Sequence, residues 1–377
     1  MKKGLMMMLF ASMVAASATA QVPEWLKTFK ISGYGMTQYQ ATTQKGAKAN
    51  SFNIRLGRLI VDANPHPDWT ARVQFQYSGS TADFTNGIRV VDVFAEWKKY
   101  DFFKVKFGQF KRAFTFENPM HPIDQGFMSY SQNVSKFAGF ADRDGSAASN
   151  GRDIGIQLQG DFLKNANGRN LLHYQIGVYN GQGINQKDVD QQKDVIGGLW
   201  VMPVKGLRIG AFGYEGSYAR KGQWTDEQGV KHNGVRKLPQ HRYALSGEYR
   251  ANDWTLRSEY IHSTGMAFSK KEESKADRSN TDVNTALGSK ADGVYVLGIA
   301  PIIKNKFHVK ARWDTYRESA DWNTAKTYYE VGADYMFSKN IQLNVEYALV
   351  NDKSQANRKL SNSHNYSIVD CELDFRF

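Results

Sequence analysis

The residues best equipped to recognise a ligand in this chain are cationic. Arg55 and Arg58, Lys111 and Arg112, and Arg143 are the candidates. Guanidinium groups offer planar paired donors that match phosphate, and an ammonium adds a compact point charge. Lys plus Arg exceed Asp plus Glu by 12 over the 377 residues. That balance suits an anionic partner: nucleic acid, a lipid headgroup surface or a small anion. Other chemistries have weaker support. There is no Gly-x-Ser-x-Gly and no His-Glu-x-x-His, and the eight histidines are scattered, so no enzyme is expected. Gly181-x-Gly183 lacks the third glycine of a dinucleotide site. Asp188, Asp190 and Asp194 offer oxygens to a calcium ion, or form an ordinary solvated loop. Cys371 is the single cysteine, which excludes an internal disulfide and a cysteine metal cluster. No metal and no cofactor is expected.

What must position the cationic residues is a set of strands. In "DWTARVQFQYS", residues 68–78, Trp69, Ala71, Val73, Phe75 and Tyr77 share one parity, while Thr70, Arg72, Gln74 and Gln76 share the other. Successive strand side chains point to opposite faces, so one face is apolar and one is wet. The pattern recurs at 242–250, 254–260, 307–314, 328–337, 341–349 and 370–377. About 16 such segments of roughly 9 to 14 residues can be drawn, the pattern of a membrane β-barrel. Segments near 51–63, 102–112 and 195–204 are the least regular. Short links rich in turn formers, such as Asn64-Pro65-His66-Pro67 and Ala251-Asn252-Asp253, alternate with long polar ones near 41–50, 79–87, 113–150, 180–192, 222–239, 265–290, 319–325 and 353–363. Seven short and eight long links imply an all-β, transmembrane antiparallel barrel of 16 strands, with short periplasmic turns and long outer loops. Closure pairs every backbone group inside the bilayer, which an open sheet cannot do. A soluble sandwich or solenoid is the alternative.

Residues 1–20 read as a secretory signal peptide: Lys2 and Lys3, an apolar run from Leu5 to Ala16, then Ala18-Thr19-Ala20. Residues 21–377 form the barrel. Export sends the chain to the bacterial outer membrane and leaves nucleic acid without support as a partner.

Four stretches carry a family resemblance. "FNIRLGRLIVDANPHPDWTARVQFQYSG" resembles the paired-arginine strand and hairpin of the phosphate-selective porins O and P. "VKFGQFKRAFTFEN" is similar to their Gly-Gln-Phe-Lys strand end, and "GRDIGIQLQG" with "YNGQGINQKDVDQQKD" to the next strand and loop. Arg55 and Arg58 match the paired arginines and Lys111 the strand-end lysine. The chain departs from the family where Pro-Phe-Gly often follows that lysine: it reads Arg112-Ala113-Phe114-Thr115. It also lacks a ladder of alternate arginines.

The resemblance implies a homotrimeric outer-membrane channel for small anions. It also implies that link 113–150 folds inward as a constriction loop, with Arg55, Arg58, Lys111, Arg112 and Arg143 near the narrowing. Phe114, Phe116, Phe127, Tyr130, Phe137 and Phe140 make that link too aromatic for a free solvated loop. Passive diffusion of small hydrophilic solutes is the expected function, with phosphate or similar anions preferred. A non-selective general porin and a surface adhesin or receptor barrel are the alternatives. Among the inward-facing wall residues of the clear strands, Arg72, Lys310 and Arg312 belong to seven bases that face nine acids. Mutual pairing of wall charges is the competing reading of their role. Outer-membrane lipid, lipopolysaccharide and the barrel-assembly machinery, which reads a strand ending in Phe377, are the expected partners.

Overall fold

The computed structural model describes residues 28–46, 50–79, 87–138, 149–225, 228–265, 290–354 and 364–377. The proposed signal peptide, Phe140 and Arg143 lie outside the described residues. Sixteen strands run in sequence: β1 (Phe29–Thr42), β2 (Ser51–His66), β3 (Trp69–Ser78), β4 (Ile88–Tyr100), β5 (Phe103–Lys111), β6 (Arg152–Lys164), β7 (Asn170–Tyr179) and β8 (Asp194–Val201) make the first half. The second half is β9 (Leu207–Thr225), β10 (Lys231–Ala251), β11 (Trp254–Gly265), β12 (Lys290–Ile303), β13 (Phe307–Arg317), β14 (Ala325–Ser338), β15 (Ile341–Asp352) and β16 (Asn365–Arg376). Each pairs with the next, and β1 pairs with β16, so the sheet closes into a barrel as expected. A short helix, α1 (Gln132–Phe137), lies in the β5–β6 link.

At the seam, Tyr34 pairs with Arg376 and Thr42 with Ile368. Phe377 donates its N–H to the Gly33 carbonyl at 3.1 Å, and Gly33 returns the bond at 3.0 Å. The rings of Phe375 and Phe377 lie over Gly35 and Gly33. A Cβ on Gly35 would sit 2.2 Å from the Phe375 ring, so only glycine lets the aromatic cover lie this close.

The two parities separate as the alternation predicts. Leu245, Val331, Val345 and Leu373 are outward and exposed, at 56%, 57%, 45% and 41%. Arg242, Glu248, Arg257, Glu259, Glu330 and Glu346 on the opposite parity are all buried. Replacing Val345 with arginine is expected to cost about 2–4 kcal/mol, because a mid-strand outward charge meets lipid. Urea titration of the protein folded into vesicles measures this; an unchanged midpoint would deny the lipid-facing assignment.

A bulge accounts for the slipped alternation near 51–63, and a second lies outside the irregular segments. In β1–β2, Met36 pairs with Leu56 but Thr37 pairs with Ile54, which leaves Arg55 as the extra residue. The bulge reverses parity: Phe52 and Ile54 are outward, while Leu56, Arg58 and Ile60 are buried inward. In β3–β4, Gln74 pairs with Asp92 and Phe75 with Val90, which makes Val91 the extra residue and turns Arg89 and Asp92 to one side.

One link differs from its expected length. The region 222–239 reads as a long loop, but β9 and β10 run through most of it, paired from Leu207–Tyr249 up to Thr225–Lys231. Their neighbours stop earlier, at Glu215 on β8's side and Gln240 on β11's side. Beyond those points the ribbon has no lipid on one face and no lumen on the other. No apolar alternation is then required, and its polarity resembled a loop.

Candidate functional site

The described residues of the link between β5 and β6 lie inside the barrel. Arg112 starts it, with Nη2 donating to Asp153 Oδ2 at 2.7 Å and its N–H to the Gly151 carbonyl at 2.9 Å. Phe114 and Phe116 then enter an aromatic cage on β8 and β9, with Trp200 and Phe212 at 5.5 and 5.4 Å from the Phe116 ring. The main-chain N–H groups of Phe116 and Glu117 each donate to the Glu259 carboxylate at 2.9 Å. The chain next crosses to the opposite wall. Ile123 packs into an inward apolar patch of Tyr34, Met36, Leu56 and Ile60, and Asp124 pairs with Arg376 at 2.8 Å. On the return, Met128 N–H donates to Glu346 and Gln132 N–H to Asp314, at 3.0 and 2.8 Å. Ser131 caps α1, accepting from Val134 N–H at 3.2 Å. Phe114, Phe116, Phe127 and Phe137 are all buried, as their apolar character requires.

This path decides the role of several wall charges. Lys310 pairs with Glu346 at 2.6 Å and donates to the Gly126 carbonyl at 2.9 Å. Arg312 pairs with Glu330 and donates to the Ser129 carbonyl at 2.9 Å. Both bases therefore grip the loop and a wall acid together. Arg72 makes a two-point pair with Asp62 at 2.7 and 3.1 Å.

Between the loop and the β3–β7 wall remains a cavity of about 180 Å³. Its charged lining is Arg72, Lys106, Lys111, Arg112 and Arg152 against Asp92; Gln157, Gln159 and Gln175 add amides. Ala113, Pro119 and His121 face them from the loop. Arg152 is held on Asp92 by two bonds of 2.6 and 2.9 Å. The Lys111 ammonium lies 5.4 Å from the Tyr130 ring centre. Arg58 is 3% exposed; its Nε donates to Gln76 at 2.9 Å and its Nη1 lies 3.2 Å from His121 Nδ1. No carboxylate pairs with Arg58 among the described residues, and its Nη2 has no hydrogen-bond partner there.

Of the residues singled out in sequence, Arg58 and Lys111 meet around His121. Arg55 is drawn to Glu372 at 3.0 Å. Arg112 is turned to Asp153, though it touches the cavity edge. Arg55 and Arg58, three residues apart, share the lumen only because of the bulge at Arg55. Arg152, Asp92 and Arg89 escaped the sequence reading. Arg152 stood in the "GRDIGIQLQG" match, but its orientation follows from the register with Lys111; the other two follow from the bulge at Val91. The calcium alternative finds no convergent site. Asp188 accepts from the N–H groups of Asp190 and Gln191 and pairs with Lys193, and among the described residues no group of three His, Cys, Asp or Glu side chains could hold a metal ion.

His121 is pushed down to about 4 by burial first and by the Arg58 charge second. It is therefore neutral at pH 7, with Nδ1 accepting from Arg58. A histidine with a depressed folded value contributes stability that is present above its unfolded value of 6.5 and is lost as pH falls towards 4. Open-channel noise is expected to grow across that window, as protonation sets two cations against each other. In His121→Asn this component of the pH profile should be absent; an identical profile would remove His121 from the account.

Residues 164–377 match the profile of the Gram-negative porins, and residues 31–186 that of the phosphate-selective porins O and P. A comparison with curated protein sequences found no match. Among solved structures, the anion-selective porin from Comamonas acidovorans is 12% identical, with 93% of this chain and 99% of that one covered and a TM-score of 0.62. Salmonella typhi OmpF is 15% identical, with coverage of 93% and 97% and a TM-score of 0.61. The trimer form of OmpT from Vibrio cholerae is 14% identical, with coverage of 93% and 99% and a TM-score of 0.53. At these identities the likeness establishes the barrel fold. The family match extends over more than half of the chain, which therefore belongs to the Gram-negative porins, the channel-forming barrels of the outer membrane.

Proposed function

We propose that the channel passes small anions in preference to cations, with phosphate or a similar oxyanion as the solute it holds best. Arg58 carries this reading. A buried guanidinium without a carboxylate is costly unless something compensates it. Its neighbours around His121 include Lys111, and among the described residues Asp92 is the one acid lining the cavity beside them. A passing anion in the adjoining cavity supplies the missing charge. Throughput also requires the site to release its ion, and a loop partner as weak as neutral His121 is consistent with that. The match to phosphate-selective porins over 31–186 points the same way.

An unselective general porin is the second reading. Its support is the pairing of Arg55, Arg72, Arg112, Arg152, Lys310 and Arg312 with acids, which leaves little net field from those residues. Under either reading, residues 1–20 direct export, the link 113–150 sets the narrowing, and the barrel inserts through the assembly machinery among lipopolysaccharide as a homotrimer. Reversal potentials in a potassium chloride gradient separate the two. Chloride selectivity with loss of chloride current on adding phosphate is expected. A near-zero or cation-selective potential favours the general porin.

A further inference from the structure

We propose that Glu259 is the positioning residue that sets the channel's narrowing, by holding the constriction loop against a strained turn at Thr115. Thr115 has φ +64. A β-branched residue rarely adopts that conformation, which persists only where the surroundings impose it. Glycine is the residue that takes this conformation without cost.

The surroundings are visible on both sides of the turn. Before it, Ala113 N–H donates to the Tyr179 hydroxyl at 3.1 Å, and Asn118 Nδ2 donates to the Arg112 carbonyl at 3.0 Å. After it, the next two main-chain N–H groups, of Phe116 and Glu117, both end on Glu259. The same carboxylate accepts from Ser246 Oγ at 2.5 Å and from the Tyr295 hydroxyl at 2.7 Å. A carboxylate has about four acceptor positions, and these four donors fill them. The returning limb joins the same residue, where Asn133 Nδ2 donates to the Glu259 carbonyl at 2.8 Å. Glu117 links the two limbs by accepting from Ser131 N–H at 3.0 Å.

Glu259 differs in this from Glu330. Glu330 answers a guanidinium, whereas the donors to Glu259 are neutral and half of them are the loop's own backbone. A wall residue serving only to stiffen the barrel would have no reason to bind the loop's main chain at the residue after a strained turn. The clamp and the strain are two halves of one device: Glu259 supplies what Thr115 lacks.

Glu259→Gln keeps the volume but turns one oxygen into an amide NH₂, which then faces one of the loop's main-chain N–H donors and one hydroxyl. The variant should show a higher open-channel conductance and severalfold larger current noise in planar bilayers. Thr115→Gly relieves the turn but gives up the 3.2 Å bond from Asn118 N–H to Thr115 Oγ1, so its own noise is the baseline for the double variant. The double variant should lose most of the excess noise, because glycine holds the turn without the clamp. A mere fold defect would not be repaired by a substitution on another segment. Heat-modifiable gel mobility checks assembly. If the glutamine variant does not assemble, Glu259→Asp, which keeps the charge but withdraws the oxygens, is read the same way. Wild-type conductance and noise in the assembled variant overturn the proposal, as does a double variant no quieter than the single. Neither readout depends on which ion the channel prefers, so the anion reading stands or falls separately.

Discussion

Lys111→Glu lowers the anion-to-cation permeability ratio by about tenfold. The substitution replaces a buried base with a carboxylate, a change of up to two unit charges in the cavity. At roughly 5 Å from a passing ion in a water-like medium, that amounts to about 1.5 kcal/mol after screening, close to a factor of ten. The protein should tolerate the change well. Among the described residues Arg58 has no carboxylate and Arg152 pairs with Asp92, so a glutamate at 111 finds partners close by. Loss of selectivity in a stably folded barrel then reports on the path of the ion and not on folding. Phosphate competition should disappear in the same variant. A permeability ratio and phosphate block equal to the wild type would exclude Lys111 from the ion's path.

Arg312→Met destabilises the folded barrel by about 3–5 kcal/mol, the cost of leaving a buried charge without its partner. Arg312 and Glu330 are 4% and 5% exposed, and the guanidinium also donates to Ser129 through two bonds. Removing it abandons Glu330 and frees one attachment of the loop. Adding Glu330→Gln should recover most of the loss, because neutralising both members of a buried pair removes the uncompensated charge. Urea titration in vesicles measures the cycle. A single variant within about 1 kcal/mol of the wild type would mean that water reaches the pair and screens it.

Much of this architecture was legible because a membrane barrel must repeat two signals. Lipid on one face imposes dyad alternation, which placed Val331 outside and Glu330 inside. The asymmetry of the membrane imposes alternating link lengths, which gave the strand number. The burial of Phe114, Phe116, Phe127 and Phe137 was legible from composition alone. What was hidden depends on register. A single extra residue at Arg55 or Val91 changes which side chains enter the lumen; the first shows in the sequence only as irregular alternation near 51–63, and the second leaves no such mark. The destination of each inward charge was hidden for the same reason. The alternation marks Lys310 and Arg312 as wall bases, but their partners lie at Gly126, Ser129, Glu330 and Glu346, which only pairing and loop path bring together. The inward apolar patch of Tyr34, Met36, Leu56 and Ile60 also broke the rule of a wet lumen, since it receives Ile123 and not water.

The β1–β16 seam bears on how such a wall can fail. Its earliest and latest segments are each other's only neighbours on that side, with Gly33 and Phe377 exchanging hydrogen bonds. Deleting the final strand would therefore strip two rows of amides at once, one on Val345's strand and one on Tyr34's, and expose both to hydrocarbon. Damage at one terminus is felt at the other, and a cylinder short of a single stave holds no intermediate shape that lipid can accept.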